Sequence, residues 1–140
     1  LIVERQPTRA DWTALGKLPP GAGVLLLGAL SPKDGRRIRC VSQARELTIV
    51  IESARSAARV HNQAELTAAL LRRPQLLLIS PIYVTSSHPD WAPLPRMRAA
   101  TLARLTKRCA IALGGMNQRR YAKIVPLGFV GWAGISAFRT

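Results

Sequence analysis

Leu47-Thr48-Ile49-Val50-Ile51-Glu52-Ser53-Ala54-Arg55-Ser56-Ala57-Ala58-Arg59-Val60-His61 is the stretch that decides the fold. Its first five residues are β-branched or aliphatic and carry no charge, the pattern of a strand buried on both faces of a parallel sheet. Ala58 to His61 reads as a short further strand. Between Ile51 and Ala58 there is no room for a helix, so a direct strand-to-strand link or a loop is expected there and at least one βα unit is absent or eroded.

Working outward, the same alternation recurs on both sides. Leu1-Ile2-Val3 and Val24-Leu25-Leu26-Leu27 read as strands. Thr8 and Asp11 form a capping box for a short helix ending near Gly16. Ser31, Pro32 and Asp34 start a second helix, on which Ile38, Val41 and Ala44 recur at helical spacing. Asn62 with Glu65 caps a helix carrying Leu66, Ala69 and Leu70 on its inner face, and Pro74 ends it. Leu76-Leu77-Leu78-Ile79 is a buried strand. Met97, Thr101, Leu102 and Leu105 mark a helix, Ala110-Ile111-Ala112-Leu113 a strand, and Asn117 to about Val125 a helix. Phe129 to Ile135 reads as the last strand.

Strand and helix thus alternate, which predicts a parallel sheet with right-handed crossovers. The expected architecture is α/β and TIM-barrel-like. With about seven strands in 140 residues, the barrel is incomplete or eroded, because a full one takes ~250 residues. Residues 1–140 are expected to form a single domain.

Composition narrows the function classes. Lys and Arg outnumber Asp and Glu by 21 to 7, giving a net charge of +14. An anionic partner fits this balance: a phosphorylated small molecule, nucleic acid or an anionic surface. A bias toward arginine codons fits it too, since the arginines are spread along the chain. Nucleic-acid binding is the weaker reading, lacking clustered basic residues and an aromatic-rich strand. No apolar run approaches the ~18–20 residues of a membrane span, and no secretory signal is visible. Cys40 and Cys109 have no metal-ligand spacing and are expected to be small buried side chains in a reduced, cytoplasmic protein. The open strand edges of an incomplete barrel suit a homo-oligomer.

Three segments carry chemistry. Ser80-Pro81-Ile82-Tyr83-Val84-Thr85-Ser86-Ser87-His88-Pro89 brings five hydroxyls and one imidazole into the loop after a buried strand. Such loops line the functional face of a parallel barrel. An ordinary turn-rich connection would look the same. Ala112-Leu113-Gly114-Gly115-Met116-Asn117 lets backbone N–H groups approach an anion, with the positive end of the next helix behind them. A tight strand-to-helix turn would also need glycine. Gly134-Ile135-Ser136-Ala137-Phe138 follows the last strand. Phosphate commonly sits after the two final strands of such folds. His61 and His88 are candidates for acid–base work, and neither is expected to have an acidic partner nearby in sequence except Asp90. Trp91 and Trp132 are expected to pack.

Together these segments resemble the C-terminal half of thiamine phosphate synthases and the related thiazole tautomerases, across roughly Asn62 to Phe138. Members of this family join a pyrimidine diphosphate to a thiazole phosphate, releasing pyrophosphate with Mg²⁺ bound. The resemblance implies that Gly114, Gly115, Ile135 and Ser136 surround a phosphate, and that Thr85 and Ser80 face the thiazole phosphate or thiamine phosphate. It also exposes departures. The family's second strand carries Gln-x-Arg-x-Lys for the diphosphate; here Val24-Leu25-Leu26-Leu27-Gly28 stands there. The third strand's Asn-Asp is replaced by Ile51-Glu52-Ser53, leaving Glu52 as the one candidate Mg²⁺ ligand. Arg36, Arg37 or Arg59 are candidates to replace the lost charge. Two expectations follow: a transferase of thiamine biosynthesis, or a catalytically inactive member that binds the phosphorylated ligand as a regulatory protein.

Overall fold

The computed structural model describes residues 1–4, 6–53, 55–86, 88–106 and 109–139. Ala54 of the strand-to-strand turn and Ser87 of the hydroxyl loop lie outside them. The architecture is α/β, with seven parallel strands among the described residues. They form two sheets, of three and four strands, rather than one closed ring. The chain divides into two compact units, Leu1–Glu52 with Ile135–Thr140, and Ser53–Gly134.

The first unit contains β1 (Ile2–Glu4), α1 (Arg9–Lys17), β2 (Gly23–Leu27), α2 (Pro32–Ala44) and β3 (Thr48–Ile51). The sheet order is β1-β2-β3, with Val3 beside Leu26 and Val24 beside Ile49. Both helices start as their sequences dictate. Thr8 and Asp11 cap each other reciprocally, and Ser31 Oγ accepts the Asp34 N–H at 3.0 Å. Val3, Leu15, Val24 and Ile38 are fully buried in the shared core, and Phe138 packs against it. The Arg37 guanidinium lies 4.2 Å from the centre of the Trp12 ring, linking the two helices by a cation–π contact. Arg37 is therefore already engaged.

The second unit contains β4 (Ala57–Val60), α3 (Gln63–Arg72), β5 (Leu76–Ile79), α4 (Arg96–Leu105), β6 (Cys109–Ala112), α5 (Gln118–Ile124) and β7 (Gly131–Trp132). Its strands run in sequence order, β4-β5-β6-β7. Val60, Leu66, Leu77, Ile79, Leu102 and Ala112 form its core. The expected helix-free link is present. Ser53 and Ala57 form an antiparallel bridge, and Ser53 Oγ accepts the Ser56 N–H at 3.1 Å.

Several expectations are corrected. β3 is not buried on both faces: it is one of the two edge strands of its sheet among the described residues, and Ile51 is 59% exposed. The helix marked by Met97, Thr101, Leu102 and Leu105 is present as α4; its buried face belongs to Ala99, Ala100, Leu102 and Ala103, with Met97, Thr101 and Leu105 exposed. Ala44 is exposed as well. The last strand is only Gly131–Trp132, with Phe129 buried in the core and Val130 facing solvent just before it. Cys40 and Cys109 are both exposed, not buried.

Candidate functional site

The site grows from the ends of β5 and β6. Ile79 and Ala112 are register partners in these neighbouring strands, so the loops that follow them emerge side by side. Ser80 closes β5 and is buried; its peptide bond to Pro81 is cis. The chain then runs alongside the β6 loop. The Ile82 N–H donates to the Leu113 carbonyl at 2.9 Å, and the Tyr83 N–H to the Gly114 carbonyl at 3.1 Å. The return arm is fixed by the Leu94 N–H, which donates to the Pro81 carbonyl at 2.8 Å.

Gly114 and Gly115 both adopt left-handed backbone, with φ of +88° and +59°. A Cβ on Gly114 would lie 2.8 Å from the Pro81 Cα, and one on Gly115 would collide with the Val84 carbonyl oxygen. Packing alone therefore requires glycine at both positions. The Arg120 guanidinium donates to the Gly115 carbonyl and lies 4.8 Å from the centre of the Tyr83 ring. Gly114, Gly115 and Met116 keep their N–H groups free of acceptors among the described residues. Such a turn of consecutive free N–H groups can hold an anion. Asn117 Oδ1 takes the Arg120 N–H at 2.9 Å, so the first turn of α5 satisfies part of itself.

The structure brings Ser80, Thr85, Gly114 and Gly115 into one region, since Pro81 to Val84 lies directly against the two glycines. Thr85 is half-buried and makes its own polar contact. On the far side of β6, the Ala133 N–H donates to the Ala112 carbonyl at 2.9 Å, so the segment leaving β7 passes the same strand end as far as Gly134. Ile135 and Ser136 belong to the first unit. There they open a short 3₁₀ turn, Ser136–Phe138, and Ser136 is exposed. Glu52 also lies in the first unit, its N–H donating to the Leu26 carbonyl at 3.0 Å. Among the described residues no three His, Cys, Asp or Glu side chains come together to hold a metal ion.

One grouping escaped the sequence reading. His61 does have an acidic partner: its Nδ1 lies 2.8 Å from Glu65 Oε2, which also accepts the His61 N–H at 2.8 Å. Glu65 is the cap partner of Asn62, and the His–x–x–x–Glu spacing was the available signal. Burial works against the ionised Glu65 carboxylate, but the hydrogen bonds from His61 and Asn62 hold it below the usual carboxylate range. Trp91 stacks on His88 with ring centres 4.5 Å apart and meets His61 edge-on at 5.3 Å.

The family model for thiamine monophosphate synthase matches residues 41–138 of the chain. The chain belongs to the thiamine monophosphate synthase family, and its parallel α/β architecture is TIM-barrel-like. No match was found among curated proteins. Among the described residues no helix is long and apolar enough to cross a membrane.

Proposed function

We propose that this chain is a thiamine phosphate synthase-like protein that binds a thiazole phosphate, and that its coupling of this ligand to a pyrimidine diphosphate is very weak or absent. The observation that carries the reading is the Gly114–Gly115 turn, clasped against Pro81 to Val84 with its N–H groups unengaged among the described residues. The phosphate rests on that turn. Ser80 and Thr85 face the thiazole. Membership of the family supports a phosphorylated small molecule as the ligand class.

Loss of the other half of the site supports weak coupling. Val24 to Leu27 is wholly apolar and buried where a diphosphate grip would need charge. Glu52 is the one candidate for Mg²⁺, and among the described residues no acidic cluster joins it. Removing a single group that stabilises developing charge commonly costs ~10²–10³ in rate, so losing several leaves little. The test is a coupling assay with both precursors beside a binding measurement for each. Binding of thiazole phosphate without product formation supports the proposal. Robust turnover abolished by Glu52→Ala would overturn the inactive reading and make Glu52 a metal ligand.

A further inference from the structure

We propose that the outer face of α4 and α5 is a docking surface for double-stranded nucleic acid, gripped through its phosphates and without sequence readout. The charge balance at this end of the chain points to a polyanion. Residues 91–140 contain nine Lys or Arg and no Asp or Glu. Along the sequence these cations are scattered; the fold gathers five of them. Arg96, Arg98 and Arg104 are exposed on α4. Arg119 and Lys123 are exposed on α5, four residues apart and so on one side of it. The two segments lie side by side. Arg96 Nη2 donates to the Lys123 carbonyl at 3.0 Å, and Arg104 Nη2 to the Pro126 carbonyl at 3.5 Å.

These bonds fix the two guanidiniums without neutralising them. A backbone carbonyl has no net charge, and a guanidinium has five N–H donors, most of which stay available. Among the described residues no carboxylate pairs with any of the five cations, and the side chains of Arg98, Arg119 and Lys123 make no hydrogen bond at all. Such an uncompensated surface repels itself and attracts a polyanion.

The features of the face select the occupant. A second copy of this chain carries +14 itself and is repelled. A single strand would need aromatic side chains on which its bases stack. The one aromatic residue of these helices, Tyr121, packs against the core. A bilayer would need a continuous apolar stripe. The exposed Met97 and Leu105 stand about 12 Å apart along α4, with the exposed Thr101 and Arg104 between them. A duplex needs only cations on a convex face. It presents one phosphate per ~1.7 Å and releases condensed counterions when cations replace them, which an acidic protein segment of sparser charge does less.

The test titrates the full chain into fluorescent mixed-sequence duplexes of about 20 base pairs, two helical turns, at several salt concentrations. DNA and RNA duplexes are run side by side, and the tighter one names the source of the phosphates. Log affinity should fall with log salt at a slope of about −4 to −5, as roughly five phosphate contacts require. The triple variant Arg98→Gln, Arg119→Gln, Lys123→Gln should flatten that slope by about 3 and weaken binding ~10-fold or more. Lys33→Gln, Arg36→Gln, Arg39→Gln removes the same charge from exposed positions of α2 and should change the slope by less than about 1. Equal flattening by both triples would reveal a response to net charge alone and overturn the proposal. So would an unchanged slope in the first triple, poly-L-glutamate competing as well per charge as a duplex, or phosphatidylserine vesicles binding more tightly than either duplex.

Discussion

The Arg120 guanidinium donates to the Gly115 carbonyl while lying over the ring of Tyr83. One side chain from α5 thereby ties the β6 loop to the β5 loop. Arg120 is consequently a positioning residue and not a free cation for phosphate. Replacing it by Lys keeps the charge but loses the planar fork. Arg120→Lys should lower stability by about 0.5–1.5 kcal/mol, measured as a drop in the urea midpoint. An unchanged midpoint would show that this contact does not hold the loops together.

Gly115→Ala should be among the most damaging single substitutions. The left-handed backbone costs an L-residue ~1–2 kcal/mol, and the added Cβ collides with the Val84 carbonyl oxygen. A fall in thermal midpoint of several degrees is expected, at roughly 2–4 °C or more per kcal/mol. Gly16 is the control. It lies in α1 without a positive φ, and a methyl group added there would meet nothing within 4 Å, so Gly16→Ala should raise stability by ~0.5–1 kcal/mol. Equal effects of the two substitutions would refute the packing argument.

Asp11 sets the acid sensitivity of the first unit. Its carboxylate is fully buried, accepts the Thr8 N–H at 2.8 Å and Arg139 Nε at 2.8 Å. Burial alone would raise its pKa, but the bonds from Thr8 and then Arg139 outweigh it, and the group titrates below its ordinary value. A depressed carboxylate contributes stability that is present above the unfolded pKa of ~3.9 and is lost as pH falls through the folded value. Wild-type stability should therefore decline as pH drops below about 4, and Asp11→Asn should flatten that decline while lowering stability at neutral pH. Urea midpoints at pH 7 and in the acid range check both statements.

Much of this fold is legible because its signals are local. Thr8 with Asp11, Ser31 with Asp34, and Asn62 with Glu65 each sit three residues apart, and each forms the cap its spacing implies. The turn between β3 and β4 was legible from chain length alone. What depends on partners distant in sequence was not. An apolar run such as Thr48 to Ile51 says strand, but nothing in it says edge. The outward Met97 and Leu105 of α4 could not be told from inward ones, because helical spacing fits two faces and the alanines won the closer one. At the site, the glycines were legible, whereas their contact with Val84 and the capture of Arg120 depend on two loops meeting in space. The carboxylate of Glu65 serves a cap and an imidazole together, and only the cap has a familiar sequence pattern.

Amide chemical shifts during titration with the thiazole phosphate test the central claim most directly. Saturable binding is predicted, with the largest shifts at the N–H groups of Gly114, Gly115 and Met116 and smaller ones at Thr85. Inorganic phosphate should shift the same glycine amides more weakly. Shifts confined to arginine side chains elsewhere, or no saturable binding at the Gly114–Gly115 turn, would contradict the phosphate site proposed for this turn.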